Sequence, residues 1–237
     1  MAGAGRMGRA IAQTVTAADD LRVASIWVRD ERSAGGAGLS SDTLISSDLD
    51  RVVAAADVLV DFSLPEATET VIAAVLRHRT PLVCGVSGLT ETLLAQLDNA
   101  GKSVTIVYDR NMSLGIAVLE SIVSQAIAAL GPAFDIVIHE THHRHKIDAP
   151  SGTALKLGEA IAAVRGCDAS EIHYEVERRG EVPGEHTVVL SSATETLSLG
   201  HSVTTRQVFA DGAVRAARWV LDKPPGLYSM RDVLARD

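Results

Sequence analysis

Residues 1–111 alternate short, largely apolar runs with segments of helical period, and this order constrains the fold more than any other feature. The runs fall at 23–28, 58–62, 81–84 and 104–107, and the helical segments at 9–18, 65–79 and 91–100. Strands that are apolar at every position, rather than at alternate ones, belong to a parallel sheet covered on both faces. Strand–helix alternation then predicts a Rossmann-like, doubly wound α/β domain. Residues 32–47, rich in Ser and Gly (Gly35, Gly36, Gly38), read as a surface loop without packing power.

The pattern changes after Asn111. Residues 113–130 form a long apolar helix stopped by Gly131-Pro132. A strand at 135–139, a helix at 151–164 and strands over 172–209, turning at places such as Pro183-Gly184, predict a second, α+β domain on an open mixed sheet. A last helix at 212–221, broken by Pro224-Pro225-Gly226, would return to the first domain. The expected division is 1–111 plus 210–237 for one domain and 112–209 for the other.

A chain of 237 residues with a net charge of -8 and only 3% aromatic residues argues against a nucleic-acid partner. No apolar run is expected to reach membrane-spanning length and no signal peptide opens the chain, so the expectation is a cytoplasmic protein with no membrane partner. Cys84 and Cys167 fit no metal or redox spacing.

Gly3-Ala4-Gly5-Arg6-Met7-Gly8 matches G-x-G-x-x-G and runs straight into a helical segment. Bare glycines let backbone amides approach a pyrophosphate, which then sits on the positive end of the helix. Three more turns, Asp61-Phe62-Ser63, Gly85-Val86-Ser87-Gly88 and Asp109-Arg110-Asn111-Met112, follow expected strands. That is the edge where ligands bind in open α/β sheets; four ordinary tight turns is the competing reading. At the end of the second strand Arg29 precedes Asp30, and a guanidinium there can pair with the 2′-phosphate of NADPH, which favours NADPH over NADH. Only Met1 and Ala2 precede Gly3, so the strand that should feed the turn is nearly absent. Its neighbours would keep unpaired backbone groups, and the native chain is therefore expected to begin a few residues upstream.

The stretch 140–153 sets His142, His143, His145, Arg144 and Lys146 beside an apparent helix start, a positive island in an acidic chain. A zinc site from the three histidines with Glu140 is one reading. Adjacent residues on an extended segment point in opposite directions, and Arg144 and Lys146 would repel a cation, so no metal is expected. A merely solvated basic loop is another reading. The reading favoured is acid–base and anion chemistry: histidine exchanges protons near neutrality, and lysine supplies a cation or a proton. Ser151-Gly152-Thr153 opens a helix whose free amides can hold a carboxylate, with Pro150 stiffening its start.

Residues 142–153, His-His-Arg-His-Lys-Ile-Asp-Ala-Pro-Ser-Gly-Thr, resemble the signature of the 4-hydroxy-tetrahydrodipicolinate reductase (dihydrodipicolinate reductase) family of the diaminopimelate route to lysine. The likeness extends to Gly5-Arg-Met-Gly8, Asp61-Phe-Ser63 with Pro65-Glu66, Gly85 to Gly88, Asn111-Met-Ser113, Gly184-Glu-His-Thr187, Phe209 to Arg215 and Gly226 to Leu234. The resemblance implies that His142 is the proton donor/acceptor and Lys146 a second proton donor, with His143, Gly152 and Thr153 binding substrate. It places the dinucleotide, NADPH or NADH, on Gly3, Ala4, Gly5, Arg6, Met7, Arg29, Gly85, Val86, Ser87, Asp109, Arg110, Asn111 and Met112. It further implies hydride transfer to a small cyclic dicarboxylate with loss of water, closure between the two domains, and a homotetramer joined through the strands of 172–209. On this reading the first domain binds dinucleotide and the second binds substrate and oligomerises. Gly85-Val-Ser-Gly replaces a frequent Gly-Thr-Thr-Gly, Asp109-Arg110 replaces smaller residues, and the connection from Val164 to Ile172 is short. These departures bear on cofactor choice and closure rather than on the reaction. A non-catalytic dinucleotide-binding homologue or sensor is the alternative.

Overall fold

The computed structural model describes residues 1–31 and 39–235 of the chain. They divide into two compact units, Met1–Met112 with Phe209–Asp237, and Ser113–Val208. The first unit runs α1 (Arg6–Thr16), β1 (Ser25–Trp27), β2 (Leu44–Ser46), α2 (Leu49–Ala54), β3 (Leu59–Asp61), α3 (Thr68–His78), β4 (Leu82–Cys84), α4 (Glu91–Gly101) and β5 (Thr105–Tyr108). The second holds α5 (Leu114–Leu130), β6 (Asp135–His142), α6 (Gly152–Arg165), β7 (His173–Arg178), β8 (Glu185–Ser191) and β9 (Thr196–Ser202). The chain then closes with α7 (Gln207–Trp219), β10 (Gly226–Tyr228) and α8 (Met230–Leu234).

In the first unit β3, β4, β5 and β10 pair in parallel, as do β1 and β2. Ala2 joins the two sets through parallel bridges to Trp27 and Asp61. The feeding strand is thus present as a single bridging residue. Ala2 N donates to Val60 O (2.9 Å), Gly3 N to Trp27 O (3.0 Å), and Trp27 N to Met1 O (2.8 Å). The Met1 amine is buried, which lowers its pKa to about 5 against the pull of Asp61. Leu59, Leu82, Leu97 and Ile106 lose all exposure in the core, with helices covering them, as uniformly apolar strands require. Short helices rely on caps: Asp48 accepts from the amides of Asp50 and Arg51 at α2, and Thr90 from that of Leu93 at α4.

Three expectations are corrected here. Of the loop expected over 32–47, residues 32–38, with Gly35, Gly36 and Gly38, lie outside the described residues, while 44–46 form β2. The expected strand run to Phe209 stops at Ser202, and Phe209 lies on α7, whose small residues pack its buried side; Gly212 approaches so closely that a Cβ there would meet Met112 O at 1.7 Å. The apolar stretch 114–133 does reach a spanning length of 20 residues. Yet its Ile116, Leu119, Val123 and Ile127 face the core of the second unit, and its buried Glu120 is paired to Lys156 at 2.9 Å. Those contacts are those of a core helix.

In the second unit β6 pairs in parallel with β7 and antiparallel with β8, which pairs with β9. One face of this sheet is buried: Ile138, Val188 and Leu190 lie with residues of α5 and α6, including Leu157 and Ile161, and each such side chain contributes about 1.5–3 kcal/mol. The register sets Glu140 opposite His186, and His186 opposite His201. An anion and two imidazoles therefore share one row of the sheet.

Candidate active site

Strand periodicity builds the centre of the second unit. β6 continues past its apolar half to His142, so Ile138, Glu140 and His142 point to one buried face while Thr141 points away. The Glu140 side chain is 0% exposed and that of His142 is 8% exposed. Glu140 Oε1 accepts from Ser151 N (3.0 Å) and from Arg178 Nη2 (3.0 Å). Its Oε2 lies 3.0 Å from His142 Nδ1 and 3.8 Å from His186 Nε2. Burial alone would push the Glu140 carboxyl up, but the close His142 imidazole and the hydrogen bonds from Ser151 and Arg178 outweigh it and hold the pKa at about 2.

His186 packs edge-on against His142, with ring centroids 5.1 Å apart. Burial first, and the His142 imidazole next, drive its pKa down to about 3, so it is neutral at working pH. His186 Nε2 meets Ser151 Oγ at 3.1 Å, and Ser151 Oγ accepts from Ala154 N (3.2 Å) as the cap of α6. Gly152 and Thr153 are the first two residues of that helix, where free amides favour an anion.

The segment after β6 carries the other candidates. Lys146 Nζ pairs with Asp148 Oδ1 at 2.8 Å; burial opposes ionisation of Asp148, but the ammonium outweighs it and lowers the carboxyl pKa. Arg178 holds this segment by donating to the carbonyls of Lys146 (3.3 Å) and Asp148. His143 is partly buried, and burial followed by Arg206 lowers its pKa. His145 is exposed near Glu181, at 3.7 Å. The rings of His143 and His145 lie 6.2 Å apart, while His142 turns to Glu140 and His186 instead. A different trio, Glu140, His142 and His186, offers ligand atoms within 4.8 Å of one another. Arg178 holds the other oxygen of that carboxylate, and its positive charge opposes a cation beside it.

The candidate dinucleotide residues lie in the first unit at the carboxyl ends of parallel strands. Gly3 has φ +95 and leads from the Ala2 bridge into α1. Gly8 must lack a side chain, since a Cβ would stand 2.1 Å from Gly3 O. Gly5 caps α1 with no side-chain hydrogen bond, and a Cβ there would meet nothing within 4 Å. This open, uncapped helix end beside Ala4, Arg6 and Met7 fits a pyrophosphate. Gly85, Val86 and Ser87 follow β4, with Ser87 exposed; Asp109 to Met112 follow β5; and Arg29 follows β1 and is exposed. The Asp109 carboxylate is buried and accepts from Asn111 N (3.1 Å) and Met230 N (3.1 Å). It ties its own loop to α8, which is a structural use of that side chain.

The sequence alone offers Glu140 only as a metal ligand, gives no role to His186 beyond its place in the Gly184–Thr187 motif, and does not single out Arg178. The i, i+2 spacing of Glu140 and His142 would have revealed their common face had the strand been carried to 142. Arg178 and His186 arrive through pairing with β7 and β8, for which no local pattern exists.

Comparison with known proteins assigns the kinship. The family models described as dihydrodipicolinate reductase, N-terminus and C-terminus, match residues 1–112 and 115–234. A 4-hydroxy-tetrahydrodipicolinate reductase of Halorhodospira halophila is 42% identical over 97% of this chain and 95% of its own length. That of Alkalilimnicola ehrlichii is 40% identical over 98% and 96%. A dipicolinate-bound dihydrodipicolinate reductase from Paenisporosarcina sp. TG-14 shares the fold, with a TM-score of 0.81 at 21% identity over 98% of this chain and 97% of that one.

Proposed function

This chain belongs to the dihydrodipicolinate reductase family, and from that premise we propose that β6 and the start of α6 bind and protonate its dicarboxylate substrate. The activity is reduction of 4-hydroxy-tetrahydrodipicolinate to tetrahydrodipicolinate and water in lysine and diaminopimelate biosynthesis. The bound nicotinamide dinucleotide supplies the hydride. His142 gives the proton that balances it, and Lys146 neutralises developing charge or gives a second proton. His143 and the amides of Gly152 and Thr153 hold substrate carboxylates. Lys146 reaches a substrate carboxylate by exchanging away from Asp148. The observation that carries this reading is the buried Glu140–His142 contact of 3.0 Å placed beside the Ser151-capped helix start.

The glycine turn, Gly85–Ser87 and Asp109–Met112 cradle the dinucleotide, with Arg29 favouring NADPH. The enzyme works in the cytoplasm as a homotetramer, with no nucleic-acid or membrane partner and no metal. Exposed Val176 and Leu197 on the β7 and β9 strands support burial of that sheet between subunits. The test is oxidation of NADPH and NADH dependent on freshly made 4-hydroxy-tetrahydrodipicolinate, with and without a chelator. Turnover unchanged by the chelator is expected. Dinucleotide binding without turnover would favour a sensor, and loss of turnover on chelation a metal site.

A further inference from the structure

We propose that Glu140 is a positioning residue that fixes the orientation and tautomer of His142. The inference rests on His142 being the proton-transfer group. A carboxylate with 0% exposure is costly unless its neighbours compensate, so its place calls for a specific use. One oxygen is taken by Ser151 N and Arg178 Nη2. The other, Oε2, and His142 Nδ1 are both shielded from solvent and stand 3.0 Å apart, off the straight line of the ring N–H. Neither has a hydrogen-bond partner elsewhere among the described residues.

A neutral imidazole carries one N–H, and the partner of one nitrogen decides which nitrogen keeps it. With the carboxylate at Nδ1, the proton stays there and Nε2 becomes the nitrogen that takes and gives a proton. Nε2 is turned toward Gly184, where a Cβ would lie only 3.1 Å away, so that side is kept clear. The same carboxylate holds Ser151, so one anion sets both the imidazole and the start of α6. The charged and titratable groups facing His142 are Glu140 on its own strand, Arg178 from β7 through Glu140, His186 from β8, and His143 and Lys146 in the segment that follows. Glu140 is the anion of this set.

Glu140→Gln keeps the shape and removes the charge. A loss of about 10–100-fold is expected in kcat, part of what a positioned acid–base group contributes, with KM moving less than about threefold. Loss of the anion also disfavours the imidazolium, so the limb of the pH–rate profile set by His142 should move to lower pH. A limb that stays in place overturns the inference whatever the rate, because a purely structural role lowers activity without moving it. A second measurement needs no Glu140 variant: 15N NMR of the histidine-labelled protein, with His142 assigned by its absence in His142→Gln. Protonation of neutral His142 at Nδ1 is expected, and protonation at Nε2 overturns the inference. His142→Gln assayed in parallel separates the two levels. If it retains the wild-type rate, the proton-transfer reading falls; if it is inactive while the Glu140→Gln limb stays put, only the role of Glu140 falls.

Discussion

The glycine turn of the first unit and the β6–α6 corner of the second are made of different materials. Gly3, Gly5 and Gly8 offer bare backbone, and what matters there is the absence of side chains: a Cβ at Gly8 would collide with Gly3 O, while Gly5 leaves α1 open. Glu140, His142, Ser151, Arg178 and His186 offer side chains from three strands and a helix cap, each held by another. A backbone site is local and reusable, whereas a side-chain network is long-range and fails when one member goes.

The strongest attempt to break the contrast is made on the network. His142→Gln and Lys146→Ala are each expected to lower kcat/KM by about 10²–10⁴-fold in the substrate-dependent assay. Wild-type rates in both would remove the proposed chemistry from this corner.

Acid should expose the network next. Unfolded histidine takes a proton near its ordinary pKa of 6.5, while buried His186 refuses one until about pH 3. Protons then bind preferentially to the unfolded chain, so stability falls as pH drops below about 6.5, by up to about 4 kcal/mol by pH 3. Glu140, held at about 2, loses its contribution only as pH falls further, through the range from its ordinary carboxylate value down to 2. Denaturant titrations at pH 7 and pH 4 should therefore show a larger acid loss in the wild type than in His186→Gln. Equal losses would mean that His186 is not held neutral.

On the backbone side, Gly8→Ala is expected to destabilise by about 1–3 kcal/mol, since the clash is with main chain. Dinucleotide affinity should weaken by about tenfold in direct titration, a change of about 1.4 kcal/mol. Unaltered affinity would show that the turn does not touch the cofactor. The smallest effect is on choice: Arg29→Glu should lower the NADPH-to-NADH ratio of kcat/KM by roughly tenfold. An unchanged ratio refutes its role.

The same contrast explains what could be read from the chain alone. The strands at 58–62, 81–84 and 104–107 announce themselves because buried parallel strands are apolar at nearly every position, and they lead to the fold class. β2 escaped because Leu44 and Ile45 stand alone among polar residues, and α2 and α8 are too short for their period to show. β6 seemed to end at 139 because its last part, Glu140-Thr141-His142, is polar and yet alternates in burial. The glycine turn and the basic segment were legible as places of chemistry, and the long signature identified the family. The burial of Glu140 and His186 was not legible, since it follows from a register joining residues 46 positions apart. Local pattern carries no trace of such a pairing.

The Lys146–Asp148 contact has a consequence for selectivity. An anion tethered two residues away is present at millimolar or higher effective concentration, so it screens the ammonium from stray monoanions that could offer nothing more. On the role proposed for Lys146, only a molecule with a second acidic group, gripping elsewhere at the same moment, would win that contest. The resting protein thus carries its own low-affinity blank, against which every visitor is weighed.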